Sequence, residues 1–223
     1  MSVMDKASMF GNPFIGIFAK TNDSFTLAGI GTSEKFIRHL DILKTKIIPA
    51  SIFDSDLLGL YSIMNNKGIL ITSLASEKEI EIIKKNAKGV NVGVLKTRLN
   101  ALGNHIAAND HGAVINPDMG PEDAKKIADI LDVEVVRSTI AGYKNVGAVV
   151  LATNNGFIAH PKASEDEIAL LRDMFNEQGG IGTANTGIPF LSISIIANKN
   201  GFVIGEQTTG YESHRINDCL GFI

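Results

Sequence analysis

The chain has 223 residues, 44% of them hydrophobic, with 24 acidic against 21 basic side chains and a net charge of −3. That balance lacks the positive field expected where phosphate contacts dominate affinity, so a basic protein is the better macromolecular partner. One cysteine excludes an internal disulfide and suits a reducing, cytoplasmic setting, the first residues lack a signal-peptide pattern, and no apolar run is long enough to span a membrane.

The first element in chain order is a short strand expected at 7–10, Ala7-Ser-Met-Phe10. Five self-similar segments follow, anchored by Gly16, Gly59, Gly103, Gly147 and Ser192 at spacings of 43, 44, 44 and 45 residues, a period that belongs to repeat architectures. Segment one, about 14–53, carries the polar turn Asn22-Asp-Ser-Phe25, a helix start at Ser33, the apolar stripe Phe36, Ile37 and Leu40, and a last strand at 47–52. Segment two, about 57–100, repeats the order with Asn65-Asn-Lys-Gly68, Ser76 and Glu79 at capping-box spacing, the stripe Ile80, Ile83 and Ala87, and a strand at 90–94. Segment three, about 101–142, has Asn109-Asp-His-Gly112, a helix opened by Gly120-Pro121, the stripe Ala124, Ile127 and Leu131, and a strand at 133–136. Segment four, about 145–187, has Thr153-Asn-Asn-Gly156, Ser164 with Glu167, the stripe Ile168, Leu171 and Phe175, and a weaker strand at 181–184. Segment five, about 190–223, has Asn198-Lys-Asn-Gly201, Thr209 with Glu212 and a shorter helix bearing Ile216, Cys219 and Leu220, and it stops before any last strand.

Each polar turn lies between apolar runs, and asparagine with a closing glycine tolerates the positive φ of hairpin turns, so every segment reads as ββαβ. Ala7-Ser-Met-Phe10 lies 43 residues before Ala50-Ser-Ile-Phe53, where segment one has its own last strand, and so supplies the strand that segment five lacks. A chain whose two ends complete one unit is expected to be a ring, since an open stack would need polar capping units and would expose strand edges. The expected fold is α/β, a closed five-fold pseudosymmetric propeller in one domain spanning 1–223, with strands near the axis and helices outside. That architecture resembles the pentein superfamily, which includes amidino-group enzymes with a cysteine nucleophile as well as non-enzymatic binders, so fold alone assigns no function.

An amidino-group hydrolase or transferase would have to use Cys219, and this is the alternative reading. Cys219 shares a helical stripe with Ile216 and Leu220 and reads as a core residue, while His214 falls on another face of the same helix. The remaining histidines are scattered: His39 in the first helix, His105 in a first strand, His111 in a turn, and His160 before Pro161 in the column of Asn116-Pro117. No catalytic set, metal cluster or cofactor is expected from them. Gly29-Ile-Gly-Thr32 and Gly180-Ile-Gly-Thr183 lack the lysine and hydroxyl of a phosphate loop and read as punctuation, and Lys84, Lys85, Lys88, Lys125 and Lys126 read as solvated helix faces. What remains are polar residues where one segment passes to the next: Asn12, Asn100, Asn145 and Asn185 before the anchor strands, Asn104 beside Gly103, and Arg98 and Arg137 in the last strands of segments two and three.

Gly16-Ile-Phe-Ala-Lys20, Leu99-Asn-Ala-Leu-Gly-Asn104, Val133-Glu-Val-Val-Arg137 with Thr139, His160-Pro-Lys162, and Gly182-Thr-Ala-Asn185 with Gly187 closely resemble, in collinear order, segments of the translation initiation factor 6 family. The resemblance implies the pentein fold and a ribosome anti-association factor. Such a factor binds the intersubunit face of the large ribosomal subunit, against a ribosomal protein near the sarcin-ricin loop with limited rRNA contact. It blocks joining of the small subunit and takes part in subunit maturation. It also implies a non-enzymatic, cytoplasmic, monomeric protein without cofactor, and the end at Ile223 points to the archaeal type, without the polar tail of eukaryotic relatives. Carried onto this chain, Asn104 is the first interface candidate, with Asn12, Arg98, Asn100, Asn145 and Asn185 as companions.

Overall fold

The structure, a computed structural model, describes residues 3–222. Strand β1 (Met4–Ala7) opens the chain, and the first unit then has a 3-10 turn at Ile15–Ile17, β2 (Ala19–Thr21), β3 (Phe25–Gly29), α1 (Glu34–Leu40) and β4 (Lys46–Ala50). The second has α2 (Leu58–Tyr61), β5 (Ser62–Met64), β6 (Gly68–Thr72), α3 (Glu77–Asn86) and β7 (Asn91–Leu95). The third has α4 (Leu102–His105), β8 (Ile106–Ala108), β9 (Gly112–Ile115), α5 (Pro121–Leu131) and β10 (Glu134–Arg137). The fourth has α6 (Val146–Val149), β11 (Val150–Ala152), β12 (Phe157–Ala159), α7 (Glu165–Phe175) and β13 (Gly179–Ile181), and the fifth has α8 (Leu191–Ser194), β14 (Ile195–Asn198), β15 (Gly201–Gly205) and α9 (Gly210–Cys219).

Among the described residues these strands form five separate three-stranded sheets, and no one sheet runs around the molecule. In each, the middle strand is antiparallel to its hairpin partner and parallel to the strand that follows the helix, because a helical crossover returns the chain in its original direction. The fifth sheet takes its parallel strand from the other end of the chain, with Met4 opposite Phe202 through Ala7 opposite Gly205. That strand covers Met4–Ala7 and not 7–10. Past Ala7 the chain enters a tight turn, closed by Met9 and Asn12 exchanging backbone hydrogen bonds of 3.0 Å, with Phe10 and Gly11 at φ 53° and 77°. The same bracket joins Ile52 to Ser55, Ile140 to Tyr143 and Ala184 to Ile188, which is why the last strands of units one and four end at Ala50 and Ile181, earlier than their apolar runs suggest.

The hydrophobic core lies between units rather than within them. Leu27 and Ile48 of the first unit pack with Leu58, Ile69 and Ile83 of the second, and Ile63 and Leu70 of the second with Leu102, Ile127 and Leu131 of the third. Val114 of the third meets Phe157 and Leu171 of the fourth, and Ile158 of the fourth meets Phe202 and Ile216 of the fifth. The fifth then packs on the first through Ile196 and Val203 against Phe36 and Leu40. Each unit therefore depends on its neighbours for burial, the energetic signature of a repeat array.

Helix starts follow the sequence. Ser33, Ser76, Ser164 and Thr209 accept hydrogen bonds from backbone amides in the first turn, and Glu79, Glu167 and Glu212 answer with bonds to the cap amides. Asp123 does the same for the amide of Gly120 in front of Pro121. The fifth helix is not the short one: α9 has 10 residues, like α3, whereas α1 has 7 before a 3-10 extension at Asp41–Leu43.

The glycine column of the hairpins has a different cause from the one expected. Gly68, Gly112, Gly156 and Gly201 do not have positive φ. A Cβ at the first three would overlap the backbone oxygens of Ile130, Met174 and Cys219, at the ends of α5, α7 and α9 in the next unit. Gly201 likewise lies against the carbonyls of Val3 and Ile42. The glycines are there to let neighbouring units approach.

Candidate functional site

The inner strands have two ends, and their chemistry differs. At the hairpin end, Asn22, Asn65, Asn109 and Asn198 are buried in one column. The Nδ2 of Asn22 donates to the carbonyl of Asn65, that of Asn65 to Asn109, that of Asn109 to Thr153, and that of Asn198 to Asn22, at 2.8–3.1 Å. Three of them also donate to the last carbonyls of the neighbouring helical segment: Asn65 to Leu131, Asn109 to Phe175 and Asn198 to Leu43. These carbonyls have no partner within their own helix, so one amide links two units and finishes a helix at once. Thr153 replaces asparagine in the fourth unit and bonds only locally, to Gly156.

One residue further on, Asp23, Asn66, Asp110, Asn154 and Lys199 close a second circle. Asn66 and Asn154 each donate to both carboxylates at 2.6–2.9 Å, and the Lys199 ammonium lies 3.7 Å from Asp23. Backbone amides of Asp23, Asn66, Asp110 and Lys199 also donate to the side chain of the neighbouring unit. Donors and acceptors at this end are spent on the protein itself.

The opposite end is where units join. Here the anchor residues sit in short helical turns, not in strands, and His105 ends α4 instead of lying in a strand. The reason is packing. A Cβ at Gly59 would overlap the carbonyl of Gly16, at Gly103 that of Gly59, at Gly147 that of Gly103, and at Gly16 that of Ser192. Ser192 in turn donates its hydroxyl to the Gly147 carbonyl. The five helical turns touch in this order, which brings the junction segments before them to one end of the molecule.

Six junction residues are candidates from the sequence. Asn104 lies on α4, partly exposed, and among the described residues its amide has no hydrogen-bond partner. Asn145 is exposed before α6 and makes no side-chain cap. Arg98 is exposed and, among the described residues, unpaired, in the loop after β7 and not in a strand, because β7 ends at Leu95. Asn12 accepts from the amide of Phe14 at 2.9 Å and Asn100 from the Thr72 hydroxyl at 3.1 Å, so both are held locally. Asn185 is different. It is 3% exposed at φ 47°, donates to the carbonyl of Pro13 at 3.0 Å and accepts from Thr208, tying the fourth junction to the first. Its side chain is committed inside the protein.

Sequence reasoning missed the apolar members of this end. Phe10 is 79% exposed and Phe53 56%, each at positive φ in a junction turn, and Tyr143, 40% exposed, lies tilted against His160 and edge-to-face with Phe190. The signal was present in the Ala-Ser-Met-Phe and Ala-Ser-Ile-Phe alignment, where the aromatic follows a buried Met9 or Ile52 and so faces the other way. Carboxylates behind the turns hold them in place. Glu79 accepts from the amides of Phe53 and Asp54, Glu167 from Ala141, and Glu212 from Thr186 and Gly187. Burial alone would raise the carboxyls of Glu79 and Glu212, but these bonds and those from Ser76, Ser51, Thr183 and Thr209 outweigh it and hold both down to about 2.

The enzyme alternative receives little from the geometry. Cys219 is buried among Ile216, Leu220 and Phe202, and burial pushes its thiol up to about 11, with Arg215 opposing and Asp218 adding. Among the described residues no histidine is hydrogen-bonded to it. His160 is buried and its Nδ1 accepts from the amide of Lys162, as Asn116 accepts from Asp118, so the two residues share one structural task. Burial lowers the pKa of His160, Lys162 reinforcing and Glu167 opposing, and burial lowers that of His105 too. Gly29 and Gly31 make room for Asp56, and Gly180 for Arg215. Lysines 84, 85, 125 and 126 are exposed on their helices, and Lys88 is exposed in the turn after α3 rather than on the helix. Among the described residues no group of three histidine, cysteine or acidic side chains could hold a metal ion, and no helix is long and apolar enough to cross a membrane.

The model of the eIF-6 family matches residues 4–219. The chain is 38% identical over 224 residues to translation initiation factor 6 of Haloquadratum walsbyi, covering 99% of this chain and 97% of the relative. It is 38% identical over 220 residues to that of Picrophilus torridus, covering 98% and 100%, and 36% identical over 230 residues to that of Methanocaldococcus jannaschii, covering both in full.

Proposed function

The chain belongs to the eIF-6 family and its role is that of a translation initiation factor, and we propose that it acts by occupying the large ribosomal subunit so that the small subunit cannot join. Full-length collinearity with the family carries this reading. The mechanism is steric: no bond is made or broken, and occupancy of the site is the activity. It fits a protein whose one thiol is buried and protonated.

In this proposal the five units form the closed pentein ring of a single cytoplasmic domain, 1–223, working as a monomer. Its junction end is the docking face, where Asn104, Asn145 and Arg98 keep polar groups free and Phe10, Phe53 and Tyr143 offer apolar edges. Asn12 and Asn100 shape that face, and Asn185 supports it from within. The partner is a basic ribosomal protein near the sarcin-ricin loop with limited rRNA contact, and the net charge of −3 favours that encounter. A part in subunit maturation follows from the same occupancy.

Co-sedimentation tests it. At low micromolar concentration the protein should travel with isolated large subunits and lower the yield of joined ribosomes when small subunits are added. Absence from the large-subunit fraction would overturn the proposal.

A further inference from the structure

Between the two ends, the inner strands surround an axial chamber large enough for a few waters or one small ion. Its wall is built from consecutive positions of each first strand, three in every unit but the second, where Ile63 and Met64 line it. The middle position is Ile63, Ala107, Leu151 and Ile196 in units two to five, and Lys20 in unit one. Among the described residues Lys20 is the one charged side chain in that wall. Its other neighbours there are Ala19, Thr21, Met64, Ile106, Ala108 and their like, with Ser192 at the anchor level.

A lysine in a narrow chamber walled chiefly by apolar side chains is costly unless its charge is answered. Nothing among the described residues answers it. Among the described residues its Nζ has neither a hydrogen bond nor an ion pair, and the chamber wall contains no acid. Asp23 and Asp110 lie toward the hairpin end, but both are engaged by Asn66 and Asn154, with Lys199 beside Asp23. Burial, with no opposing carboxylate, pushes the Lys20 ammonium down to about 8, so at neutral pH it still carries its proton. Lys20 keeps some contact with solvent, as a group facing a water-admitting chamber should.

We infer that the axial chamber is a binding site for one small monovalent inorganic anion of halide size, held by the Lys20 ammonium. The anion supplies the countercharge that the pseudosymmetric column omits. A volume of about 30 Å³ excludes large or strongly hydrated polyanions, and the Asp23 to Asn154 circle shields the hairpin mouth. The inference is independent of ribosome binding, since Lys20 lies inside the molecule and not on the junction face.

Native crystals soaked in sodium bromide should show an anomalous peak in the chamber within hydrogen-bonding distance of Lys20 Nζ. In solution, replacing gluconate by chloride at constant ionic strength should raise the melting temperature of the native protein by about 3–5 °C, the size expected when anion exceeds its Kd about tenfold. Lys20→Met should fold, because isoleucine and leucine occupy the same column elsewhere, and its melting temperature should be indifferent to the exchange. An empty chamber in the bromide crystals, no chloride response in the native protein, or an equal response in Lys20→Met would each overturn the inference. The crystal result stands even without the variant.

Discussion

The hairpin end and the junction end of this protein use similar residues, chiefly asparagine, to opposite purposes. At the hairpin end Asn65 and Asn109 are 3% exposed and every amide is bonded across a unit boundary. At the junction end Asn104 and Asn145 keep their amides free. The lesson is that residue type and repeat column do not assign function; what separates the two sets is whether the side chain has already found its partner. One end holds the molecule together and the other is left available.

The sharpest way to break this division is to remove what both ends share. Residues 4–9 give the fifth sheet its parallel strand and send Met9 into the core beside Phe36 and Val203, so they join the last unit to the first. Deleting residues 1–10 should cost about 5 kcal/mol or more, from lost strand pairing and a buried methionine, and leave little cooperative transition in urea. A truncated protein that melts as the full chain does would show that the fifth unit stands without it.

Second in size is a change confined to the hairpin end. Asn109→Ala removes four bonds, leaving the carbonyls of Thr153 and Phe175 without their donor and the amides of His111 and Gly112 without their acceptor, which should cost about 2–4 kcal/mol in urea unfolding. The folded protein should still travel with large subunits. Lost binding at unchanged stability would place the docking face at this end instead.

Much of this architecture was legible in the sequence because it repeats. The period exposed the units, the caps at Ser76, Ser164 and Thr209, and the pairing of the chain's first strand with the last unit. Contacts between units were not legible. The glycines of the hairpin column looked like turn residues because a close approach to Ile130 or Met174 leaves no mark in the local sequence. The asparagine column was read as a backbone preference although its recurrence in four units pointed to the side chain. Arg98 and Asn185 looked alike as junction residues, and only the fold showed that one is exposed in a loop and the other buried against Pro13.

Third is acidity, which should separate the ends because the junction turns are held by carboxylates and the hairpin column by amides. Glu79 and Glu212 are held down to about 2 in the folded protein, against 4.5 as the ordinary value. Their contribution is therefore complete above about pH 4.5 and is lost as pH falls toward 2, at about 2 kcal/mol each. Glu79→Gln should flatten the stability profile in that window and loosen the Phe53–Asp54 turn, seen as faster amide exchange there. An unchanged profile would mean that the turn does not depend on the charge.

The smallest effect on stability should come from the residue with the most to say about function. Asn104 is partly exposed, and its amide has no bond to lose, so Asn104→Asp should change stability by less than about 0.5 kcal/mol. Its backbone amide bonds Ala101, a contact the substitution keeps. On the ribosome the outcome should differ: the amide donor becomes an acceptor with a charge, and an interface that used that donor is left with an unpaired group. A loss of about 1–3 kcal/mol, roughly tenfold or more in Kd, should appear in co-sedimentation. Asn145→Asp serves as a second point on the same face. If Asn104→Asp lowers the melting temperature by several degrees, Asn104 belongs with Asn65 and Asn109 as cement, and the division between the two ends fails at its first interface candidate.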